Sequence, residues 1–165
     1  MKISKYQKQF GVGPVGLLVS LFVLALLWLL DRNLGHVVVL NKPQPIRILG
    51  FILIGLWICW HVWAIRTIKL WWNNDRLCTA GPFRFMRHPM YAGGMFLADF
   101  GIALLLNSWI ILPWPILLYP IMSVLVRKEE KMMAEVFGEE YEKYAAKTGR
   151  FIPRFRREAG PYLHC

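Results

Sequence analysis

Four long apolar stretches, with nearly all the charge gathered between them, constrain this chain more than any other feature of its sequence. They run roughly over residues 12–30, 46–65, 90–106 and 109–126. Stretches of about 17–25 apolar residues are long enough to cross a bilayer as helices. A chain patterned in this way has no alternating polar face with which to build a water-soluble globule. The sequence therefore predicts one all-α domain, an integral membrane helical bundle of about four transmembrane helices. A helical tail over 127–165 follows it. The 56% of hydrophobic residues matters here because they are clustered.

Lysine and arginine placement sets the expected topology. Three precede the first stretch, five lie between 66 and 89, and nine follow Val126. The 31–45 connector has two and the Asn107-Ser108 turn none. Positive residues collect on the cytoplasmic side, which predicts a multi-pass protein with both termini in the cytoplasm. The net charge of +10 is thus assigned to a membrane face and not to nucleic acid. Lys2, Lys5 and Lys8 before the first stretch resemble a signal peptide. The stretch is too long for one, however, and Asp31-Arg32-Asn33 follows it with no small-residue cleavage site, so it is read as a retained span. Cys59, Cys78 and Cys165 are scattered, which argues against a disulfide framework or a zinc cluster.

Trp57, Trp60 and Trp63 fit an interfacial belt near the end of the second span. A polar re-entry is expected over 66–88, with Trp71-Trp72 and Asn73-Asn74-Asp75. Spans three and four are expected to form a hairpin. Pro113, Pro115 and Pro120 are expected to kink the fourth, which lipid tolerates where neighbours re-satisfy the freed carbonyls. In the tail, Arg127-Lys128-Glu129-Glu130 opens an amphipathic helix through Met133, Phe137 and Tyr141. Gly138 divides that helix and Thr148-Gly149 ends it, before Phe151-Ile152-Pro153 and a basic end with Arg154, Arg156 and Arg157.

Chemistry is expected around Gly81 to Gly93. Pro89 keeps His88 out of the helical conformation and suits the first position of the next helix. Arg87 and His88 then stand at a helix N-terminus, where an anionic group is favoured. Arg84 serves equally as an anchor or as a further anion ligand. Glu129-Glu130 reads as dipole complementarity in a first helical turn, or as the acidic side of a cleft facing Arg87-His88. Such a cleft suits a zwitterionic amino-acid moiety, with its carboxylate on the cations and its ammonium on the Glu pair. Asp99, inside the third span, is either a functional carboxylate or a protonated packing residue. His61 reads as a helix-interface histidine.

Gly81-Pro82-Phe83, Arg87-His88-Pro89-Met90-Tyr91-Ala92-Gly93, Glu129-Glu130, Phe137-Gly138-Glu139-Glu140-Tyr141, Tyr144 and Arg150-Phe151-Ile152-Pro153 occur in this order. Over about 77–153 they resemble the isoprenylcysteine carboxyl methyltransferase and phospholipid methyltransferase superfamily. The resemblance implies an integral membrane enzyme whose cofactor is S-adenosylmethionine, held in a cytoplasm-facing pocket, with an acceptor that enters from the bilayer. Carried over residue by residue, it puts His88, Pro89, Tyr91, Gly93, Glu129, Glu130 and Tyr141 at the cofactor. Arg87, Arg150 and Glu130 take the catalytic positions, and no metal is implied. The partners it implies are membrane lipids and a lipophilic or lipid-modified acceptor such as an isoprenylcysteine carboxylate, a phospholipid amine or a small thiol. Better-known members have five or more spans. Two other readings stand beside it: an NADPH-dependent sterol-reductase-like enzyme, and a module that only binds anionic lipid.

Overall fold

A computed structural model describes residues 11–72 and 76–154. Lys2, Lys5, Lys8, Asn73-Asn74-Asp75, Arg156, Arg157 and Cys165 lie outside the described residues. The described fold is all helical: α1 (Gly13–Asn33), α2 (Gln44–Trp72), α3 (Pro89–Leu106), α4 (Trp114–Phe137) and α5 (Glu139–Lys147). The first three are long and apolar enough to cross a membrane.

Helix α3 is central. In α1 and α2 only 11% of the most apolar window is buried, against 39% in α3. Leu17, Leu18 and Phe22 on α1 and Ile48 and Phe51 on α2 are exposed, as lipid-facing residues are. Helix α2 packs tightly on α3 because glycines meet: a Cβ on Gly50 would lie 2.8 Å from the Gly101 carbonyl oxygen, and the reverse distance is also 2.8 Å. Small residues permit this approach between membrane helices, where dispersion contacts replace the hydrophobic drive. On the other side, α3 and α4 enclose a core of Met95, Ala103, Ile111, Trp114, Leu118, Met122 and Val126. Helix α1 lies against α4, fixed by Trp114 Nε1, which donates to the Ser20 carbonyl at 3.2 Å.

Several expected boundaries move. Helix α2 does not stop near Ile65 but continues to Trp72, since 66–72 contains no breaker and Ile68 and Trp71 pack on Ala64, Cys78 and Phe83. The expected fourth span begins as turns over 109–113, with the helix proper starting at Trp114. Its apolar part, 114–126, covers only about 20 Å, and the helix runs on through Arg127 to Phe137. Glu129 and Glu130 are therefore mid-helix residues, not members of a first turn. Pro113 and Pro115 start α4, and only Pro120 lies inside it. The break at Gly138 occurs as expected, with φ 52° and ψ −129°, a conformation open to glycine.

The Asn107-Ser108 turn joins α3 to α4 and is built into the connector after α1. Asn107, at φ 51°, donates from Nδ2 to the Leu40 carbonyl and accepts from Leu40 N–H. Ser108 Oγ donates to Asp31 Oδ1 at 2.5 Å, and His36 Nδ1 lies 2.6 Å from Asp31 Oδ2. Asp31, though nearly fully buried, is thus paired on both oxygens.

Candidate active site

At the opposite end of the molecule, three segments far apart in sequence converge. Met86 pairs with Gly149 as an isolated parallel bridge, and His88 N–H donates to the Arg150 carbonyl at 3.0 Å. This sets the segment before α3 alongside the segment after α5. Tyr144 secures the arrangement by donating from its hydroxyl to the Phe83 carbonyl at 2.6 Å. The second half of α4 lies across both, and brings Glu129 and Glu130 to them. Pro89 opens α3 with His88 as its N-cap, as the sequence predicts.

Glu130 is the hub. Its carboxylate accepts from Arg87 Nε at 2.9 Å, from Arg150 Nε at 3.1 Å and Nη2 at 2.6 Å, and has His88 Nε2 at 3.3 Å. Burial alone would raise its pKa. The hydrogen bonds from His88, Arg150 and Arg87 outweigh that and hold the carboxyl well below the ordinary carboxylate range. The Arg150 guanidinium is pushed up by the same hydrogen bond.

Glu129 is served differently. Its Oε1 accepts from the Tyr91 hydroxyl at 2.8 Å and from the main-chain N–H of Val12, while Oε2 faces His88 Nδ1 at 3.5 Å. No arginine touches it among the described contacts. The His88 ring, 10% exposed, stacks on Tyr91 at 5.7 Å and lies 5.8 Å from Phe151. His88 therefore bridges the two carboxylates, one at each ring nitrogen.

The remaining expected site residues divide. Arg87 is largely committed to the tail, since its Nη1 also donates to the carbonyls of Ala145 and Thr148 at 2.9 and 2.5 Å. Tyr141 is buried in α5, and its hydroxyl is pushed up to about 12, by burial first and by the Glu130 charge second. Pro89 offers its carbonyl to Trp60 Nε1 at 2.8 Å. Gly93 faces α2: a Cβ there would stand 2.6 Å from Trp60 Cδ1, so it serves helix packing on that side. Arg84 lies apart, exposed, with its guanidinium 4.5 Å from the Phe85 ring centroid. Asp99 ends a π-helical turn of α3 over Gly94–Asp99, and His61 is buried at Nδ1 with no hydrogen-bond partner there among the described residues. Neither joins the Glu129–Glu130 cluster.

Sequence reasoning missed Val12, whose contribution is a main-chain donor with no side-chain signature. It also took Trp60 as an interfacial residue, although it is bonded to the first residue of α3. Its one clue is its position on the helix that α3 packs against.

Comparison with known proteins agrees with this architecture. Residues 45–140 match the phospholipid methyltransferase family, a match that takes in α2, α3, α4 and most of the cluster. A probable protein-S-isoprenylcysteine O-methyltransferase from Oryza sativa is 33% identical over 81 residues, 49% of this chain and 42% of that protein. Protein-S-isoprenylcysteine O-methyltransferase of Schizosaccharomyces pombe is 32% identical over 83 residues, 49% of this chain and 35% of that protein. Cobalt-zinc-cadmium resistance protein CzcN of Cupriavidus metallidurans is 30% identical over 83 residues, 50% and 38% of the two chains. These matches span less than half the length of each relative. With more than half of its length inside the family match, this chain belongs to the phospholipid methyltransferase family.

Proposed function

We propose that this chain is an integral membrane methyltransferase that uses S-adenosylmethionine and methylates a lipophilic acceptor arriving through the bilayer. The observation that carries this reading is the inequality of the two adjacent carboxylates. Glu130 is bound by two arginines, whereas Glu129 is met by a hydroxyl, an amide and an imidazole. A donor set of this kind fits a ligand with an ammonium and a carboxylate: the ammonium goes to Glu129. The carboxylate goes to Arg150, which is more exposed than Arg87. The Tyr91 ring supplies a face for a cationic centre, a contact worth about 0.5–2 kcal/mol.

When bound, the cofactor would supply an electrophilic methyl group on a sulfonium, with a neutral thioether as its leaving group. The protein's task is then alignment and exclusion of water, which can contribute about 7–11 kcal/mol. Glu130 and Arg87 act as positioning residues: they fix the 86–88 segment against α4 and the tail, and hold His88 between the carboxylates. Tyr141 and Arg150 close the tail side. In this reading Gly93 and Pro89 act through helix packing and do not touch the cofactor. The end that carries the site also carries the lysine- and arginine-rich segments, which orients it to the cytoplasm in a multi-pass chain. Acceptors of the isoprenylcysteine-carboxylate, phospholipid-amine and small-thiol classes all suit entry from lipid. An anionic acceptor requires no base.

The test is the thermal stability of the full chain in detergent with and without S-adenosylhomocysteine. At 100 times its dissociation constant the ligand should add about 2.7 kcal/mol. A folded protein that shows no shift with this ligand, but does with NADPH, would overturn the reading.

A further inference from the structure

The residues just before α1 sit on the carboxylate that this reading reserves for the ligand. Oε1 of Glu129 accepts from both the Val12 main-chain N–H and the Tyr91 hydroxyl, so both its lone pairs are engaged. Gly11 makes this approach possible. Its φ is +49°, and a Cβ there would collide with the Glu129 carboxylate and come within 3.0 Å of the Tyr91 hydroxyl. Only glycine combines that backbone conformation with the absence of a side chain. The main chain at Gly11-Val12 therefore occupies the space in which a cation would meet Glu129.

We infer that Gly11-Val12, at the head of α1, is an exchangeable lid on Glu129, which the cationic end of the ligand displaces. The inference rests on the function proposed above. The exchange is balanced in hydrogen bonds, because an amide N–H leaves the carboxylate and an ammonium N–H takes its place. It is unbalanced in charge, because a charged donor bonds a carboxylate more strongly than a neutral one. The fold suits a moving head on a fixed helix. Farther along, α1 is secured by Trp114 Nε1 on the Ser20 carbonyl and, at its other end, by Asp31 bonded to Ser108 and His36. Between the head and Ser20 the contact with α4 is apolar, Gly16 against the Met122 thioether, while Gly16 N–H donates to the Val12 carbonyl at 2.8 Å within the first turn of α1 itself. The lid covers the Glu129 carboxylate without an arginine, which would compete with the ligand.

The experiment is amide hydrogen exchange on the full chain in lipid nanodiscs, titrated with S-adenosylhomocysteine. Binding should protect 86–91 and 127–131 and, in the opposite direction, speed exchange at Val12. A Gly11→Val variant, whose side chain cannot fit over Glu129, should bind the ligand about tenfold tighter, since no lid has to leave. Should that variant not fold, exchange on the native chain decides alone. A Val12 amide that becomes more protected on binding would overturn the lid. In that event ligand binding itself, weakened about tenfold or more by Glu129→Gln, would leave the methyltransferase reading standing. Absence of binding to the native chain would sink both.

Discussion

Both ends of α1 are fastened by a carboxylate beside a histidine, yet the two arrangements differ in kind. At one end Asp31 receives a serine hydroxyl and an imidazole from the two loops it joins. The bridge between Val38 and Ser108 and the two bonds between Asn107 and Leu40 surround it. Every partner is local to that junction, and each aspartate oxygen is paired. At the other end Glu129 and Glu130 draw donors from the residue just before α1, from the start of α3 and from the tail, with two guanidiniums on one carboxylate and, among the described residues, none on the next. A junction needs only as much charge as it can pair. The Glu129–Glu130 end holds more charged groups than closing the fold requires, and holds them unevenly. The first arrangement is a clasp; the second is a site that also fastens the fold.

The sharpest way to break this contrast is to neutralise the hub. Glu130→Gln leaves Arg87 and Arg150 facing a group that no longer balances them in a largely buried place. Losing one partner of such a cluster should cost about 3 kcal/mol or more in stability and abolish binding of S-adenosylhomocysteine. Thermal unfolding and ligand titration of the same preparation measure both. Acid should mimic the substitution in the native chain. Because the Glu130 pKa is lowered in the fold, its stabilisation is fully present above the ordinary glutamate value of 4.5 and is lost as pH falls below that toward the folded value. Tyr141, raised to about 12, works at the other limb: stability declines as pH climbs from its ordinary 10 toward 12. Melting temperature against pH checks both limbs, and Glu130→Gln should flatten the acid one and, by removing the charge that is the second cause of the Tyr141 shift, weaken the alkaline one.

At the clasp the expected effect is smaller and confined to stability. Asp31→Asn keeps the shape but weakens the bonds from Ser108 and His36, a loss of about 1–3 kcal/mol. Its affinity for S-adenosylhomocysteine should stay within twofold of the native chain's. A larger change in affinity would show that the two ends of α1 are coupled through the helix.

What the sequence revealed of this follows from what apolar runs can encode. Hydropathy places α1, α2 and α3, because lipid accepts only segments whose backbone bonds close internally. It fails at the ends of α2 and α4, because it marks where apolar residues stop and not where the helix does. Arg66 to Trp72 has no breaker, and Arg127 to Phe137 continues α4 into a polar environment without interruption. In the site, the residue types of Arg87, His88, Glu129, Glu130 and Arg150 were legible, and they do converge. Their pairing was not. The sequence suggested cations on one side of a cleft and carboxylates on the other, whereas Glu130 is bound directly by both arginines. That depends on the pairing of Met86 with Gly149, which brings residues 63 positions apart side by side. Val12 was invisible for a different reason, since every residue except proline offers a main-chain N–H.

The smallest expected effect separates two arginines three residues apart. Arg84 and Arg87 look alike in sequence, both basic and both near a proline. In the fold Arg84 is exposed over the Phe85 ring, while Arg87 reaches Glu130 and two carbonyls of the tail. An exposed cation–π contact is worth about 0.5–1 kcal/mol at most, and surface substitutions usually stay within about 0.5 kcal/mol. Arg84→Ala should therefore leave both melting temperature and ligand affinity close to native. Arg87→Ala, which takes one of the two arginines from Glu130 and frees the tail, should lower both. If Arg84→Ala weakened binding as much as Arg87→Ala, the site would have to extend to the exposed side of the 81–84 turn, and the distinction between anchor and site residue along this segment would fall.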